Sequence, residues 1–201
     1  MEVQMRGGPV LDGTLTAIRL RVLADTGAYG NHAPGVLKEA CSAAISLYRC
    51  PNITVDGYSV RTHNVPVGAF RGYGAGQTTL AMESALDELA RTLRIDPSDL
   101  RRTACLRPGD TTAFPGVGGR HPVMDTGLGQ CLDALRTARA RSLRTRPSPA
   151  DPGHLTGEGM AVAALHTEPM DGHAHGHASP CGRTDTTNSS PEHPSSAAAP
   201  R

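Results

Sequence analysis

Hydrophobic and polar residues alternate along residues 15–23, close to the start of the chain. Ile18, Leu20 and Val22 fall on one side of an extended chain, and two arginines fall on the other side. This period of two predicts a β-strand with one buried face.

A helical period dominates the middle of the chain. Over residues 77–93, Met82, Leu86, Leu89 and Leu93 form one apolar stripe at spacings of three and four, which predicts a helix packed on a core. The other predicted elements are a glycine-punctuated loop at 25–30, a short helix at 34–42, a second strand pair at 53–60 and 61–66, a helix capped by Asp96 and begun by Pro97, a loop to residue 125, a helix at 128–141 and a strand at 157–165. These mixed strands and helices predict an α+β fold.

Two expectations concern individual side chains on the predicted helices. Glu83 and Glu88 fall on the polar side of the 77–93 helix, so we expect solvent to cover them. The 128–141 helix has one apolar side, which we expect to be buried, made of Leu128, Cys131, Leu132 and Leu135.

The composition changes after residue 165. Residues 167–201 contain no Val, Ile, Leu, Phe or Tyr, so they cannot bury enough apolar surface to order the backbone. We therefore predict a disordered tail at 166–201. The composition of this tail resembles what translation of a GC-rich gene gives in a shifted reading frame. A natural disordered tail and a short gene fragment are the alternatives.

Charge and cysteine content narrow the classes of function. A formal net charge of +1 gives no reason to expect nucleic acid or an anionic membrane surface. No apolar run is long enough to span a bilayer, and the N-terminus lacks the apolar stretch of a signal peptide, so we expect a cytoplasmic protein. The five cysteines form no CxxC pair, which favours free thiols over zinc or iron–sulfur ligands.

Glycine is concentrated in residues 68–76, which read Gly-Ala-Phe-Arg-Gly-Tyr-Gly-Ala-Gly. A backbone without side chains at several positions can approach a ligand closely, and its N–H groups can then donate to oxygen atoms. The alternative is a glycine-rich turn into a helix, with Phe70 buried and Arg71 on the surface.

Several motifs together carry a resemblance to a known family. They are Asp-Gly-Thr-Leu at 12–15, Asp-Thr-Gly-Ala-Tyr at 25–29, Tyr-Arg-Cys-Pro-Asn at 48–52, Val-Pro-Val-Gly-Ala-Phe-Arg-Gly-Tyr-Gly at 65–74, Gln77, Glu83, Asp-Glu-Leu-Ala at 87–90, Asp96-Pro97 and Leu-Arg-Arg at 100–102. In this order they resemble the molybdenum-binding large subunit of the xanthine dehydrogenase and aldehyde oxidase family. The resemblance covers about residues 1–165.

The resemblance implies roles for the residues of the glycine-rich loop. Phe70, Arg71 and Gly72 would bind a molybdenum–molybdopterin cofactor, and Tyr73 would stack on the substrate. The implied reaction is hydroxylation of an aldehyde or an N-heterocycle with oxygen from water. Electrons would leave through iron–sulfur and FAD subunits or domains of the same enzyme.

The resemblance also implies a division of the chain. Residues 1–106 would be the end of a first molybdopterin-binding domain, and residues 107–165 the start of a second. Glu39 or its neighbour Lys38 stands where purine-oxidising members have an arginine, which argues against a xanthine-type site.

Two segments that the resemblance leads us to expect are absent, namely an N-terminal glycine-rich cofactor loop and a late segment with an essential glutamate. We therefore expect an internal fragment that is inactive alone and holds no catalytic residue and no resident metal site. Two alternatives remain. One is a non-catalytic remnant that binds a partner, and the other is a metal-binding protein that uses its histidine-rich segment, which contains His166, His173, His175 and His177.

Overall fold

The structure, a computed structural model, describes residues 1–9, 11–113, 120–145 and 157–164. Its elements in chain order are β1 (Glu2–Pro9), β2 (Leu15–Gly27), α1 (Ala33–Ile45), β3 (Asn52–Arg61), α2 (Ala75–Leu93), α3 (Pro97–Ala104), β4 (Thr111–Ala113), β5 (Arg120–Pro122) and α4 (Leu128–Thr145). This mixture of strands and helices confirms the predicted α+β class.

Strands β1, β2 and β3 form one sheet with β2 in the centre. β1 pairs with β2 in antiparallel register, and β2 pairs with β3 in parallel register from Ala17 opposite Asn52 to Gly27 opposite Arg61. A parallel pair needs a long crossover, which α1 supplies. The carboxyl ends of β2 and β3 therefore meet at one edge of the sheet.

The core lies between one face of this sheet and the helices α1 and α2. Ile18, Leu20 and Val22 are at most 2% exposed, as the alternation predicted, and they share one apolar cluster with Met82 and Leu86 of α2. Small residues of α1 lie in the same layer, which lets the helix backbones approach closely.

The helices begin and end close to where the sequence predicted. Helix α2 starts two residues earlier than expected and ends at Leu93, where Arg94 takes a left-handed conformation. Asp96 caps α3 as predicted, because its carboxylate accepts a 2.8 Å hydrogen bond from the Ser98 N–H. The predicted 34–42 helix is α1, which is longer at its C-terminal end.

The predicted strands and loops need correction at four places. Residues 1–9, for which the hydrophobic pattern predicted no element, contain β1. The loop expected at 25–30 begins three residues later, at residue 28, because β2 continues to Gly27 by pairing with the end of β3. The second strand pair is β3 alone, and the expected loop before residue 125 contains the short antiparallel pair β4–β5.

The end of the described chain also departs from expectation. Residues 157–164 form no strand, although Met160, Val162 and Ala164 are half-buried in the predicted alternation. On α4 only Leu132 of the four apolar residues is buried, and Cys131 and Leu135 are exposed, because α4 contacts only α3 closely. The expected tail at 166–201 lies outside the described residues.

Candidate functional site

The glycine-rich segment predicted as a site connects β3 to α2 at the carboxyl edge of the sheet. Its first part is fastened to the end of β2, where the Val67 N–H donates a 3.2 Å hydrogen bond to the Thr26 carbonyl. Position 27 must be glycine, because a Cβ there would lie 2.3 Å from the carbonyl oxygen of Val65. The loop therefore begins in close backbone contact with the sheet.

Asp25 organises this first part of the loop. Its carboxylate accepts hydrogen bonds from the Thr62 hydroxyl at 2.7 Å, the Gly27 N–H at 2.8 Å and the Asn64 side-chain amide at 2.5 Å. The Thr62 hydroxyl, followed by the Gly27 N–H and the Asn64 amide, lowers the pKa of Asp25 below its ordinary value. A charged Asp25 thus ties the ends of β2 and β3 to the start of the loop.

The end of the loop is a tight left-handed turn. Gly72, Tyr73 and Gly74 have φ angles of 97°, 48° and 91°. Such a conformation costs a residue with a side chain about 1 kcal/mol or more, so Tyr73 needs compensating contacts. Two hydrogen bonds close the turn, from the Tyr73 N–H to the Phe70 carbonyl at 2.7 Å and from the Ala75 N–H to the Gly72 carbonyl at 2.8 Å.

The start of helix α1 contacts Tyr73 and Gly74 of this turn. The Tyr73 hydroxyl and His32 Nδ1 share a 3.0 Å hydrogen bond, and the two rings meet edge to face. A Cβ on Gly74 would lie 2.7 Å from the Val36 carbonyl oxygen, so glycine is required there for space as well as for φ. The Thr78 hydroxyl donates a 2.6 Å hydrogen bond to the Ala40 carbonyl.

The middle of the loop is open. Phe70 is 83% exposed and Arg71 is exposed, so the alternative with a buried Phe70 is wrong. The N–H groups of Ala69, Phe70 and Arg71 donate to no group in the part of the chain that the structure describes. Apart from its chain neighbours, no described atom lies within 4 Å of where a Cβ on Gly72 would be.

This arrangement fits a group rich in oxygen atoms that approaches the backbone. Exposed N–H groups beside an open glycine can donate to oxygen, and the Arg71 guanidinium adds a positive charge. The described residues contain no cluster of three or more His, Cys, Asp or Glu side chains that could hold a metal ion by themselves.

A second polar cluster lies in the core between α2 and α3. The Glu83 side chain is buried, and its carboxylate accepts hydrogen bonds from the Tyr48 hydroxyl at 2.5 Å, from Arg101 Nε at 2.7 Å and from the Val162 N–H at 2.9 Å. The expectation that solvent covers Glu83 is therefore wrong, whereas Glu88 is exposed as expected. Arg101 itself is 0% exposed and also lies 2.8 Å from Asp87.

Full pairing explains why this buried cluster is tolerated. Burial, and then the nearby Glu83 carboxylate, raises the pKa of the Tyr48 hydroxyl. The hydroxyl therefore stays protonated and donates a hydrogen bond to Glu83. The Arg101 guanidinium further donates to the backbone carbonyls of Glu83 and Pro97. The Glu83 and Arg101 charges are thus paired with each other and hydrogen-bonded, which a buried ion pair requires.

Comparison with known proteins decides what these features belong to. The family model of the molybdopterin cofactor-binding domain matches residues 1–105 of the chain. The chain belongs to this family. The match includes the sheet, helices α1 to α3 and the whole glycine-rich loop. The resemblance read from the motifs is therefore confirmed, and so is molybdenum–molybdopterin as the cofactor of the family.

Individual relatives and solved structures agree with this assignment. A probable xanthine dehydrogenase subunit of Bacillus subtilis is 42% identical over 136 residues, which cover 67% of this chain and 18% of the relative. The nicotinate dehydrogenase large molybdopterin subunit of Eubacterium barkeri is 37% identical over 101 residues, which cover 50% of this chain and 24% of that subunit. The structure of the aldehyde oxidoreductase from Desulfovibrio gigas superimposes on this chain with a TM-score of 0.61 at 32% sequence identity. The superposition covers 74% of this chain and 16% of the oxidoreductase.

The chain thus spans between 16% and 24% of the length of these three proteins of the molybdopterin family. No helix in the described ranges is both long enough and apolar enough to cross a membrane. The free thiols of Cys41, Cys50 and Cys105 are buried and that of Cys131 is exposed.

The four predicted site residues of this member of the molybdopterin cofactor-binding family are consecutive and lie on one loop. Phe70, Arg71 and Gly72 form its open tip, and Tyr73 lies at its base against α1. Their roles toward cofactor and substrate stay predictions. Glu39, one of the two residues that stand where purine-oxidising members have an arginine, is buried in α1.

Two features of this molybdopterin family member were not predicted from its sequence. Asp25 could have been noticed from its Asp-Thr-Gly sequence, which is typical of a carboxylate that bonds to the backbone two residues later. The partnership of His32 with Tyr73 left no signal, because 41 residues separate them. The histidine-rich segment after residue 165 lies outside the described residues.

Proposed function

We propose that this chain supplies a cofactor-facing loop of a molybdopterin-dependent oxidoreductase that hydroxylates aldehydes or N-heterocycles. The chemistry of the bound cofactor is oxidation of a carbon centre with oxygen taken from water. The protein residues contribute positioning and electrostatics. As a piece that matches under a quarter of its relatives' length, the chain is proposed to be inactive alone.

The observation that supports this function most strongly is the contrast within residues 62–74. Both ends of the loop are fastened, by Asp25 at the start and by helix α1 at the end. The tip between them leaves its backbone donors and Arg71 accessible. A loop with fixed ends presents its open tip in one arrangement, which lowers the entropy cost of binding.

In this proposal Phe70, Arg71 and Gly72 bind the cofactor. Backbone N–H groups at the tip donate to its oxygen atoms, and the positive charge of Arg71 favours its anionic groups. Tyr73 stacks on a flat substrate. Its hydroxyl is engaged by His32, so the orientation of the ring is set before substrate arrives.

The remaining parts of the enzyme would come from other segments or subunits. We propose iron–sulfur and FAD subunits or domains as electron acceptors, as the family resemblance implies. Free thiols at Cys41, Cys50 and Cys105 suit a reducing compartment, which supports a cytoplasmic location. The molybdopterin-binding domains would divide at about residue 106.

A non-catalytic fragment that binds a protein partner is the second candidate. Large apolar side chains near the loop favour it, because Tyr29, Val65 and Phe70 are each at least 80% exposed. Large exposed apolar residues mark an interaction surface when they form one patch. In a complete cofactor-binding subunit the same residues would instead face neighbouring segments.

A chimeric enzyme tests the proposed function. Residues 1–105 replace the matching segment of the Desulfovibrio gigas aldehyde oxidoreductase, and molybdenum and pterin are measured per folded subunit. We expect the chimera to retain both and to oxidise an aldehyde or an N-heterocycle. Arg71→Ala should lower the molybdenum and pterin content, since the positive charge at the loop tip is lost.

Arg91→Ala serves as the matched control, because Arg91 is an exposed arginine on α2 away from the loop tip. A chimera that folds, as judged by circular dichroism and gel filtration, yet holds no molybdenum or pterin would contradict the proposal. Equal cofactor content in the two arginine variants would remove Arg71 from the site.

A further inference from the structure

We propose that His32 is a positioning residue, which fixes the tip of the cofactor-facing loop through the hydroxyl of Tyr73. The effect of His32 on cofactor and substrate rests on the proposed function. The contact between His32 and Tyr73 does not. The resemblance to molybdenum hydroxylases assigns Tyr73 to the substrate. It assigns no role to the residue at the start of α1.

The backbone of Tyr73 shows why the loop needs such a residue. Its φ angle of 48° places a residue with a large side chain in a region that glycine normally occupies. Tyr73 lies between Gly72 and Gly74, whose φ angles are also positive. The two hydrogen bonds within the turn offset part of this cost, and contacts of the Tyr73 side chain outside the loop can offset more of it.

The contacts of the Tyr73 side chain converge on the first turn of α1. His32 Nδ1 lies 3.0 Å from the Tyr73 hydroxyl, and the ring centroids are 6.1 Å apart at an interplanar angle of 76°. A Cβ on Gly35 would lie 2.8 Å from the Tyr73 hydroxyl and 3.2 Å from its ring. The absence of a side chain at Gly35 thus lets the ring reach His32.

The position of His32 suits this role. It is the N-cap residue of α1, and its side chain makes no capping hydrogen bond to the helix backbone. Helix α1 is packed on the sheet and on α2, so its first turn is a rigid support. A hydrogen bond from that support to Tyr73 fixes the orientation of the ring and, through the turn, the direction of Phe70 and Arg71.

This geometry predicts a measurable loosening of the loop when the hydrogen bond is removed. Trypsin can cleave after Arg71, but the tight turn at 70–74 must open before a protease can bind it as an extended segment. Loss of one ordinary hydrogen bond should increase the open population about threefold to tenfold. Cleavage after Arg94, at the end of α2, provides an internal reference in the same digest.

The test uses the full chain without cofactor. We expect His32→Phe to accelerate cleavage after Arg71 about threefold to tenfold relative to cleavage after Arg94. His32→Gln should restore the wild-type ratio, because an amide can donate to or accept from a hydroxyl. His63→Gln, at an exposed histidine of the same loop, is the matched control and should leave the ratio unchanged.

Tyrosine NMR gives a second measurement on the same variants. The chain has four tyrosines, so ring-labelled tyrosine gives few signals, and Tyr73→Phe assigns the signal of Tyr73. His32→Phe should shift that signal and leave the signal of the buried Tyr48 in place. If His32→Phe fails to fold, Tyr73→Phe removes the same hydrogen bond and should accelerate cleavage after Arg71 equally.

Unchanged cleavage after Arg71 in the folded variants, or an unchanged Tyr73 signal in His32→Phe, would overturn the proposal. Failure of the proposed function is a separate result, since it appears as a folded chimera without molybdenum or pterin. If both hold, His32→Phe in the chimera should raise KM for a flat substrate more than it lowers molybdenum content.

Discussion

The buried cluster around Glu83 and the loop at 62–74 use polar residues in opposite ways. In the core, Glu83, Arg101 and Tyr48 satisfy one another within the protein. In the loop, the fastening is at the two ends, while the tip presents its backbone donors and Arg71 outward. Polar groups that are fully paired hold the fold, whereas those at a rigidly supported tip are available to a ligand.

The largest effect is expected from breaking the buried cluster. Arg101→Met should lower the free energy of unfolding by about 3–5 kcal/mol, because it leaves Glu83 buried and without its main cation. Urea unfolding followed by circular dichroism measures this. Arg102→Met is the matched control, since Arg102 is an exposed neighbour whose ion pair with Asp133 should contribute under about 1 kcal/mol.

Removing both charges of the pair should recover part of the stability that Arg101→Met loses. The double variant Glu83→Leu and Arg101→Met removes both charges and should unfold less easily than Arg101→Met alone. A double variant as unstable as the sum of the two single variants would show that the two charges do not act as a pair.

A smaller loss is expected where the loop meets α1. Gly74→Ala should lower the free energy of unfolding by about 2–3 kcal/mol, because the new Cβ meets the Val36 carbonyl at an unfavourable φ. Gly76→Ala, in the first turn of α2 with open space around it, is the control and should be neutral or slightly stabilising. Similar losses in both variants would place the loop end away from α1.

Asp25 allows the start of the loop to be tested through pH. Because the folded pKa lies below the unfolded value, the charged form stabilises the fold above the unfolded pKa, and that contribution is lost as pH falls through the folded pKa. Asp25→Asn should therefore lower Tm at neutral pH, with a difference that shrinks below about pH 4. A difference that does not depend on pH would mean that the carboxylate charge has no role.

The smallest effect is expected at the loop tip. Phe70→Ala should change the free energy of unfolding by no more than about 0.5 kcal/mol, because the ring is largely exposed. Chemical denaturation of the full chain measures this. A loss of several kcal/mol would mean that Phe70 is a core residue, and the loop would then be a structural turn.

What the sequence could predict depended on how local the cause was. The stripe from Met82 to Leu93 predicted α2, and Asp96 predicted the start of α3, because helix periodicity and capping act within a few residues. The glycines at 68–76 likewise indicated a loop whose backbone can approach a ligand closely. The family resemblance, which drew on motifs along most of the chain, added the cofactor.

Features that depend on distant partners were missed. Glu83 looked like a solvent-facing residue, since its partners Tyr48 and Arg101 are 35 and 18 residues away. Alternation at 157–164 predicted a strand, but this segment bonds to the side chain of Glu83. The three-residue strands β4 and β5 are too short for any period to be visible.

Hydrogen exchange of the chimeric enzyme tests the central claim most directly. The chimera is prepared with cofactor and, from a host unable to make molybdopterin, without it. Amides at 68–72 should exchange more slowly in the loaded enzyme, while those of α2 around Glu83 should be slow and equal in both. Equal exchange at 68–72 in the loaded and cofactor-free enzymes would contradict the account, because the open tip would then contact no cofactor.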